Sequence, residues 1–199
     1  MTFKDYKYLV RSDLYRATGG RTGLAVFLRE FFFGEAWVYI FWLRTCSFTR
    51  THFLSLITLH FPSRLILRHT MYKLGIMIPY GTRIGAGFYI GHFGNIIING
   101  HCQIGLNCNI SPGVTLGQAN RGKHKGYPVI GDNVYIGPGA KVIGAVKVGN
   151  NVAIGANSVV TSDVPDNAVV VGIPARVISN EGSAGYVEDR VGDEERGEG

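Results

Sequence analysis

The sequence predicts a mainly β protein, a parallel β-helix with three flat sides, joined to an N-terminal α-helical region. Three observations predict it. From Ile130 to Thr161 the chain reads IGDNVY, IGPGAK, VIGAVK, VGNNVA, IGANSV and VT, with Ile or Val opening each block at Ile130, Ile136, Val142, Val148, Ile154 and Val160. The fifth position of each block is also small or aliphatic: Val134, Ala140, Val146, Val152, Ser158 and Val164. A strict period of six matches neither the 3.6 of a helix nor the 2 of a single strand. It is the mark of a short unit stacked on itself, each copy burying what its neighbour leaves bare.

Residues 1–75 form the first region, and their composition differs from the rest. Up to Lys73 they hold eleven Lys/Arg against four Asp/Glu, with most of the Phe and both Trp. Thr22 is expected to cap a helix running to Phe33. A second helix is expected from Glu35 to Thr45, and a third opens near Pro62 and stops at Gly75. No uncharged run reaches the roughly 18 residues of a spanning helix, because Arg29, Glu30, Glu35, Arg44 and Arg50 interrupt. A charged start, apolar core and small-residue cleavage site are also missing, so no signal peptide is expected. The region is expected to pack on the β-helix or on a neighbouring subunit. The alternative is peripheral contact of residues 24–61 with the inner face of the cell membrane through aromatic faces flanked by Arg. The expected location is cytoplasmic, and no nucleic-acid partner is expected.

The β-helix is expected over 76–178. The beat opens at Ile78, Ile84 and Ile90, slips by two residues across Gly91-His92-Phe93-Gly94-Asn95, and resumes at Ile98, Ile104, Ile110 and Leu116. Between Leu116 and Ile130 a longer insertion carries Gln118 to Tyr127. Inserted residues must leave the wall, and irregular loops on a rigid scaffold are where chemistry is usually placed. Cys102 and Cys108 fall on inward fifth positions, and with three Cys in the chain they read as reduced core residues. Residues 179–199 are acidic and Gly-rich and are expected to be a solvated, mobile tail.

Each interruption contains a histidine, the side chain whose pKa suits a base near neutral pH. His92 sits at the slip. His124 stands among Arg121, Lys123 and Lys125, company suited to an anionic substrate. His101 lies within the regular repeat and reads as a surface position of the wall.

The repeat resembles the hexapeptide-repeat acyltransferases, and the end of the domain, Val169-Val170-Val171-Gly172-Ile173-Pro174-Ala175-Arg176-Val177-Ile178, is similar to theirs. From about Ile76 to Ile178 it resembles the bacterial serine acetyltransferase branch. Thr82-Arg83-Ile84-Gly85-Ala86-Gly87, His92-Phe93-Gly94 and Ser111-Pro112-Gly113-Val114-Thr115-Leu116-Gly117 carry the match in order.

The resemblance implies a left-handed coil, acetyl-CoA as co-substrate, no metal, and a homotrimer. It implies His92 as catalytic base, with His124 as the alternative. Pro138, Ala156, Thr161 and Arg176 are the implied positions along the coenzyme groove between subunits, and Asn95, Lys125 and Tyr127 are expected at the acceptor. The chain departs from the branch where that branch carries carboxylates and its Asp-Arg-His-Pro motif: Gly91, Met77 and Lys125-Gly126-Tyr127-Pro128 stand there instead. The expected acceptor is therefore a sugar hydroxyl, as in the polysaccharide-modifying relatives. Serine O-acetylation is the alternative, and a non-catalytic β-helix scaffold is a further one. A zinc hydratase on the same fold needs three converging imidazoles, and the chain has no His-x4-His.

Overall fold

The computed structural model describes residues 1–51 and 56–192. Short strands run from Ile76–Met77 to Ala175–Ser179 and sort into three sheets, which the chain visits in fixed rotation. Sheet one stacks Ile76–Met77, Ile96–Ile98, Thr115–Gly117, Lys141–Ile143 and Val159–Val160. Sheet two stacks Arg83–Ile84, Gln103–Ile104, Val129–Ile130 and Lys147–Val148, and sheet three begins with Tyr89–Ile90 and reaches Val169–Gly172. Pairing is parallel throughout, except that Ala175–Ser179 turns back antiparallel and closes sheet three.

From Ile84 onward, each block opener is an inward residue of its strand. Ile84, Ile104, Ile130 and Val148 lie in register on sheet two, and Ile90, Ile110, Ile136, Ile154 and Val170 on sheet three. Fifth-position residues fill the corners between them, and Val134, Ala140, Val152 and Ser158 are fully buried. A period of six is thus one side of a triangle, with two inward residues per side.

The corner between sheets two and three is held by a further column. Asn107, Asn133, Asn151 and Asn167 all adopt left-handed backbone, which Asn tolerates better than most residues. Their side chains hydrogen-bond in series, each amide nitrogen donating to the next carbonyl oxygen at 3.0–3.1 Å.

Helices α1 (Phe3–Ala17), α2 (Leu24–Phe33), α3 (Ala36–Thr49) and α4 (Phe61–Leu74) precede the coil, with a π-helical turn at Leu56–His60. The expectations for α3 and α4 agree with the structure to within a turn. Two differ. Helix α1 has a capping box, Thr2 accepting from the Asp5 N–H while Asp5 accepts from the Thr2 N–H, and sequence reasoning passed over it. Thr22 does not cap α2; Gly23 stands at that cap without a side-chain bond. Gly75 does end α4, in left-handed conformation (φ +63°), and a side chain there would approach the Asn95 backbone nitrogen within 3.2 Å. This close approach fixes the helical region against the slip that carries His92.

A buried ion pair locks the helices to the first coil. Asp13 accepts from Arg44 Nε at 2.8 Å and from the Phe88 N–H at 2.8 Å, while Arg44 Nη1 donates to the Ile84 carbonyl at 2.7 Å. Nearby, the Tyr39 hydroxyl both donates to the Ile78 carbonyl and accepts from the Ile78 N–H.

The acidic C-terminal segment does not stand off as a solvated tail over 180–192. It crosses sheet three, where Tyr186 stacks on Tyr135 at 4.5 Å and Ser183 Oγ donates to the Asn133 carbonyl at 2.6 Å. Arg16 bridges the layers, donating to the Glu188 carbonyl, the Gly87 carbonyl and Asn109 Oδ1. Val187 is buried there, so an acidic composition concealed one apolar anchor and several backbone partners. Residues 193–199 of the expected tail lie outside the described residues.

All three cysteines are free and buried, as expected of Cys102 and Cys108. Burial pushes the thiols up, Cys46 and Cys108 to about 12 and Cys102 to about 11. The thiolate is the reactive form, so native protein at neutral pH should resist iodoacetamide. Mass spectrometry should show alkylation only after denaturation; rapid native labelling would contradict the packing.

Candidate active site

Three edges separate the three sheets, and the candidate residues fall on two of them. Edge one, where sheet three gives way to sheet one, is a stack of turns carrying His92, Pro112, Pro138 and Ala156. The turns are tied to one another through the backbone. Gly113 N–H donates to the Gly94 carbonyl, Gly139 N–H to the Pro112 carbonyl, and Asn157 N–H to the Pro138 carbonyl, each at 2.8 Å.

The two-residue slip sets the turn of His92 apart. Gly94 (φ +124°) and Asn95 (φ +50°) bend the chain back to Ile96, whose N–H donates to the Gly75 carbonyl at 3.0 Å. His92 is exposed, and among the described residues its ring has no hydrogen-bond partner. The imidazole stands clear of the regular wall on a backbone fixed from both sides.

Edge two, where sheet one gives way to sheet two, carries the long insertion. Ala119 and Gly126 exchange two backbone hydrogen bonds of 3.0 Å, so the loop is a closed hairpin. It leans on the following coil, where the Ala145 N–H donates to the His124 carbonyl at 2.8 Å. At its base the Tyr127 ring meets the His101 ring at 4.7 Å. His101 therefore belongs to this edge rather than to an isolated stretch of wall. Lys125 is exposed, His124 and Tyr127 are partly covered, and Thr161 lies exposed further down the same edge.

One protomer accordingly keeps the two histidines apart. His92, Asn95, Pro138 and Ala156 share edge one, while His124, Lys125, Tyr127 and Thr161 share edge two. Arg176 is exposed on the closing hairpin, where among the described residues its guanidinium reaches only the Ala175 carbonyl, at 3.0 Å. The hairpin itself is tied to edge one, since the Gly172 N–H donates to Ser158 Oγ at 3.2 Å.

Sheet one forms the outward face between these edges. Its outward column is Met77, Ile97, Thr115, Lys141 and Val159, without a carboxylate. Met77 is half exposed, and its thioether is too weak an acceptor to orient an imidazole. Lys141, which sequence reasoning did not single out, donates from Nζ to the Gly113 carbonyl on edge one. Its outward place in the block was the available signal. The face offers a cation beside an exposed base, a pair suited to an anionic or acyl-bearing ligand. Among the described residues no cluster of side chains able to hold a metal is present.

Residues 127–162 match the family model described as bacterial transferase hexapeptide (six repeats). The chain is 44% identical over 123 residues to the serine acetyltransferase of Bacillus subtilis (strain 168), which covers 62% of this chain and 57% of the relative. It is 44% identical over 120 residues to that of Staphylococcus xylosus, covering 60% of this chain and 56% of the relative. The chain thus spans rather more than half the length of these curated relatives.

Among solved structures, the serine acetyltransferase of Brucella abortus strain S19 superposes with a TM-score of 0.72 at 25% identity, over 89% of this chain and 70% of that one. The Neisseria gonorrhoeae serine acetyltransferase in complex with serine gives 0.69 at 26%, over 89% and 70%. The coil is therefore a left-handed β-helix. Residues 127–162 thus carry the bacterial transferase hexapeptide repeat, and the coil is similar to the serine acetyltransferases in both sequence and fold.

Proposed function

We propose that the chain is an acetyl-CoA-dependent O-acetyltransferase that works as a homotrimer, with His92 as general base. The observation that carries this reading is the shared edge of His92, Pro138 and Ala156. An exposed imidazole at one end of a line of small turn residues fits a thin thioester-bearing arm laid beneath it. In a cyclic trimer, edge one of each protomer faces edge two of the next. That juxtaposition brings Thr161, Tyr127, Lys125 and His124 of one protomer to the His92 of another.

Transfer is direct. The His92 imidazole takes the acceptor hydroxyl proton as the oxygen attacks the acetyl carbonyl. As the tetrahedral oxyanion collapses, the carbon–sulfur bond breaks, and the imidazolium returns its proton to the leaving thiolate. Arg176, on the hairpin beyond Ala156, is placed for a coenzyme phosphate.

Serine is the acceptor that the relatives favour, since those compared above are all serine acetyltransferases. One observation favours a carbohydrate instead, although no relative above supports it. A free amino acid needs an anion for its ammonium group, and the outward column of sheet one has none. Tyr127 offers a ring on which a sugar face can rest. The exposed Leu24, Phe32 and Phe33 of α2 support contact of the 24–61 region with an apolar surface, the membrane included. No helix among the described residues is long and apolar enough to cross a membrane.

Coenzyme A release from acetyl-CoA, followed with serine and then with nucleotide sugars and oligosaccharides, tests the proposal. A kcat/KM of ~10⁴ M⁻¹s⁻¹ or more for serine establishes the serine reading. A comparable value for a sugar alone establishes the other, and no turnover with any hydroxyl acceptor leaves the scaffold reading.

A further inference from the structure

A cavity of about 340 Å³ lies between α4 and the first turn of the coil, above the insertion on edge two and away from His92. That is within the ~300–1,000 Å³ of small-molecule sites. Beneath its floor lies the fully buried Tyr39, whose hydroxyl is satisfied by the Ile78 backbone and so offers no polar group to the cavity. One wall is the stripe Phe61, Arg64, Leu65 and Arg68, apolar and cationic residues alternating at the three- and four-residue spacings of one helix face. The other is Met77, Pro79 and Tyr80.

The charges at this cavity are unbalanced. Arg64 and Arg50 both lie over the Tyr80 ring, at 5.8 and 5.9 Å from its centroid. Arg68 lies over Tyr72 at 5.7 Å. Among the described residues, carboxylate partners are found only for Arg29 and Arg44, so none of these three guanidiniums has one. Two cations sharing one aromatic ring repel each other, and His60, edge-on to the same ring at 5.7 Å, adds no anion. Its pKa is lowered by burial and then by Arg64 and Arg50, in keeping with a positive local field.

A free inorganic anion would leave the apolar floor and the exposed Phe61 and Leu65 unused. A neutral lipid would leave the guanidiniums unpaired. We propose that this cavity binds a phosphate ester carrying a single apolar chain, of the isoprenyl or alkyl phosphate class. The chain lies over Tyr39 between Leu65 and Met77, and the phosphate oxygens accept from Arg64 and Arg68, with Arg50 beside them.

The site also stands at the head of edge two. Pro79 packs over Gly100, within 3.2–3.3 Å of where a side chain would begin, and the next residue, His101, meets Tyr127. A group carried on the phosphate would therefore be presented towards the acceptor side of the groove. Only this last step rests on the acyl-transfer reading; binding does not.

Isothermal titration of the full chain with geranyl diphosphate, geraniol and pyrophosphate tests the proposal without any turnover. Geranyl diphosphate should bind roughly tenfold or more tighter than either fragment, as charge-assisted bonds and chain burial together imply. Arg64→Gln with Arg68→Gln should abolish that advantage, while Leu65→Gln should reduce geranyl diphosphate towards the pyrophosphate level. Circular dichroism of each variant shows whether it is folded, and Arg29→Gln on α2 should leave binding unchanged. Equal affinity for pyrophosphate, equal affinity for geraniol, or indifference of folded Arg variants would overturn the assignment. Binding confined to phosphatidylglycerol vesicles, with none to geranyl diphosphate, would also overturn it and show a membrane-surface contact instead.

Discussion

Replacing His92 with alanine is expected to lower kcat by ~10²–10⁴-fold, the range for loss of a general base, and to leave coenzyme A binding in place. The expectation follows from where the side chain stands. It is exposed at the slip, among the described residues no side chain hydrogen-bonds to it, and Gly75, Gly94 and Gly113 hold its turn by backbone contacts. A loss of activity in this variant therefore reports chemistry rather than folding. His124→Ala provides the comparison, because the His124 carbonyl and not its ring anchors the insertion to Ala145. It should affect KM for the acceptor more than kcat. Full activity in His92→Ala with none in His124→Ala would move the base to edge two.

The second large effect concerns stability. Asp13→Ala is expected to destabilise the chain by ~3–5 kcal/mol, because it strands the buried Arg44 guanidinium without its carboxylate. The melting temperature should fall by about 6–20 °C for a chain of this size, read by circular dichroism or calorimetry. The Phe88 N–H would lose its acceptor in the same change. Replacing the pair together, Asp13→Leu with Arg44→Met, should recover much of the loss, since an apolar pair leaves no unpaired charge. Equal stability of Asp13→Ala and the parent would show that the helices do not depend on this lock.

Much of the coil was legible in the sequence, because its physics is strictly local and repeated. An inward Ile or Val every six residues admits one solution, and the slip and the insertion appear as interruptions of the beat at His92 and at Gln118 to Tyr127. The Asn column was legible too, in the fourth position of the blocks opened by Ile104, Ile130 and Val148, which hold Asn107, Asn133 and Asn151, but it went unread. What the sequence concealed is what joins distant segments. Nothing local pairs Asp13 with Arg44, seats Arg16 between Glu188 and Asn109, or brings Tyr186 over Tyr135. The acidic composition of the C-terminal segment suggested solvation, yet a few anchors at Ser183, Tyr186 and Val187 suffice to dock it.

The candidate site was partly legible for the same reason. His92, Pro138 and Ala156 lie at equivalent turns of the first, third and fourth coils, so the block phase places them on one edge. Thr161 and the insertion are out of phase with them, and that alone assigns them to another edge. The partner that holds the His92 ring was not legible, and within one protomer no described residue supplies it.

The central claim is a site made from edge one of one protomer and edge two of the next. Co-expression of His92→Ala protomers with Thr161→Trp protomers tests it most directly. Each variant alone should be inactive, one for lack of a base and the other because the indole blocks the coenzyme groove. In a cyclic trimer every mixed assembly contains one junction with both edges intact, so an equal mixture should recover about a quarter of wild-type turnover. Turnover that stays at the level of the two parents, in mixed trimers confirmed by mass, would place both halves of the site on one protomer and contradict the account.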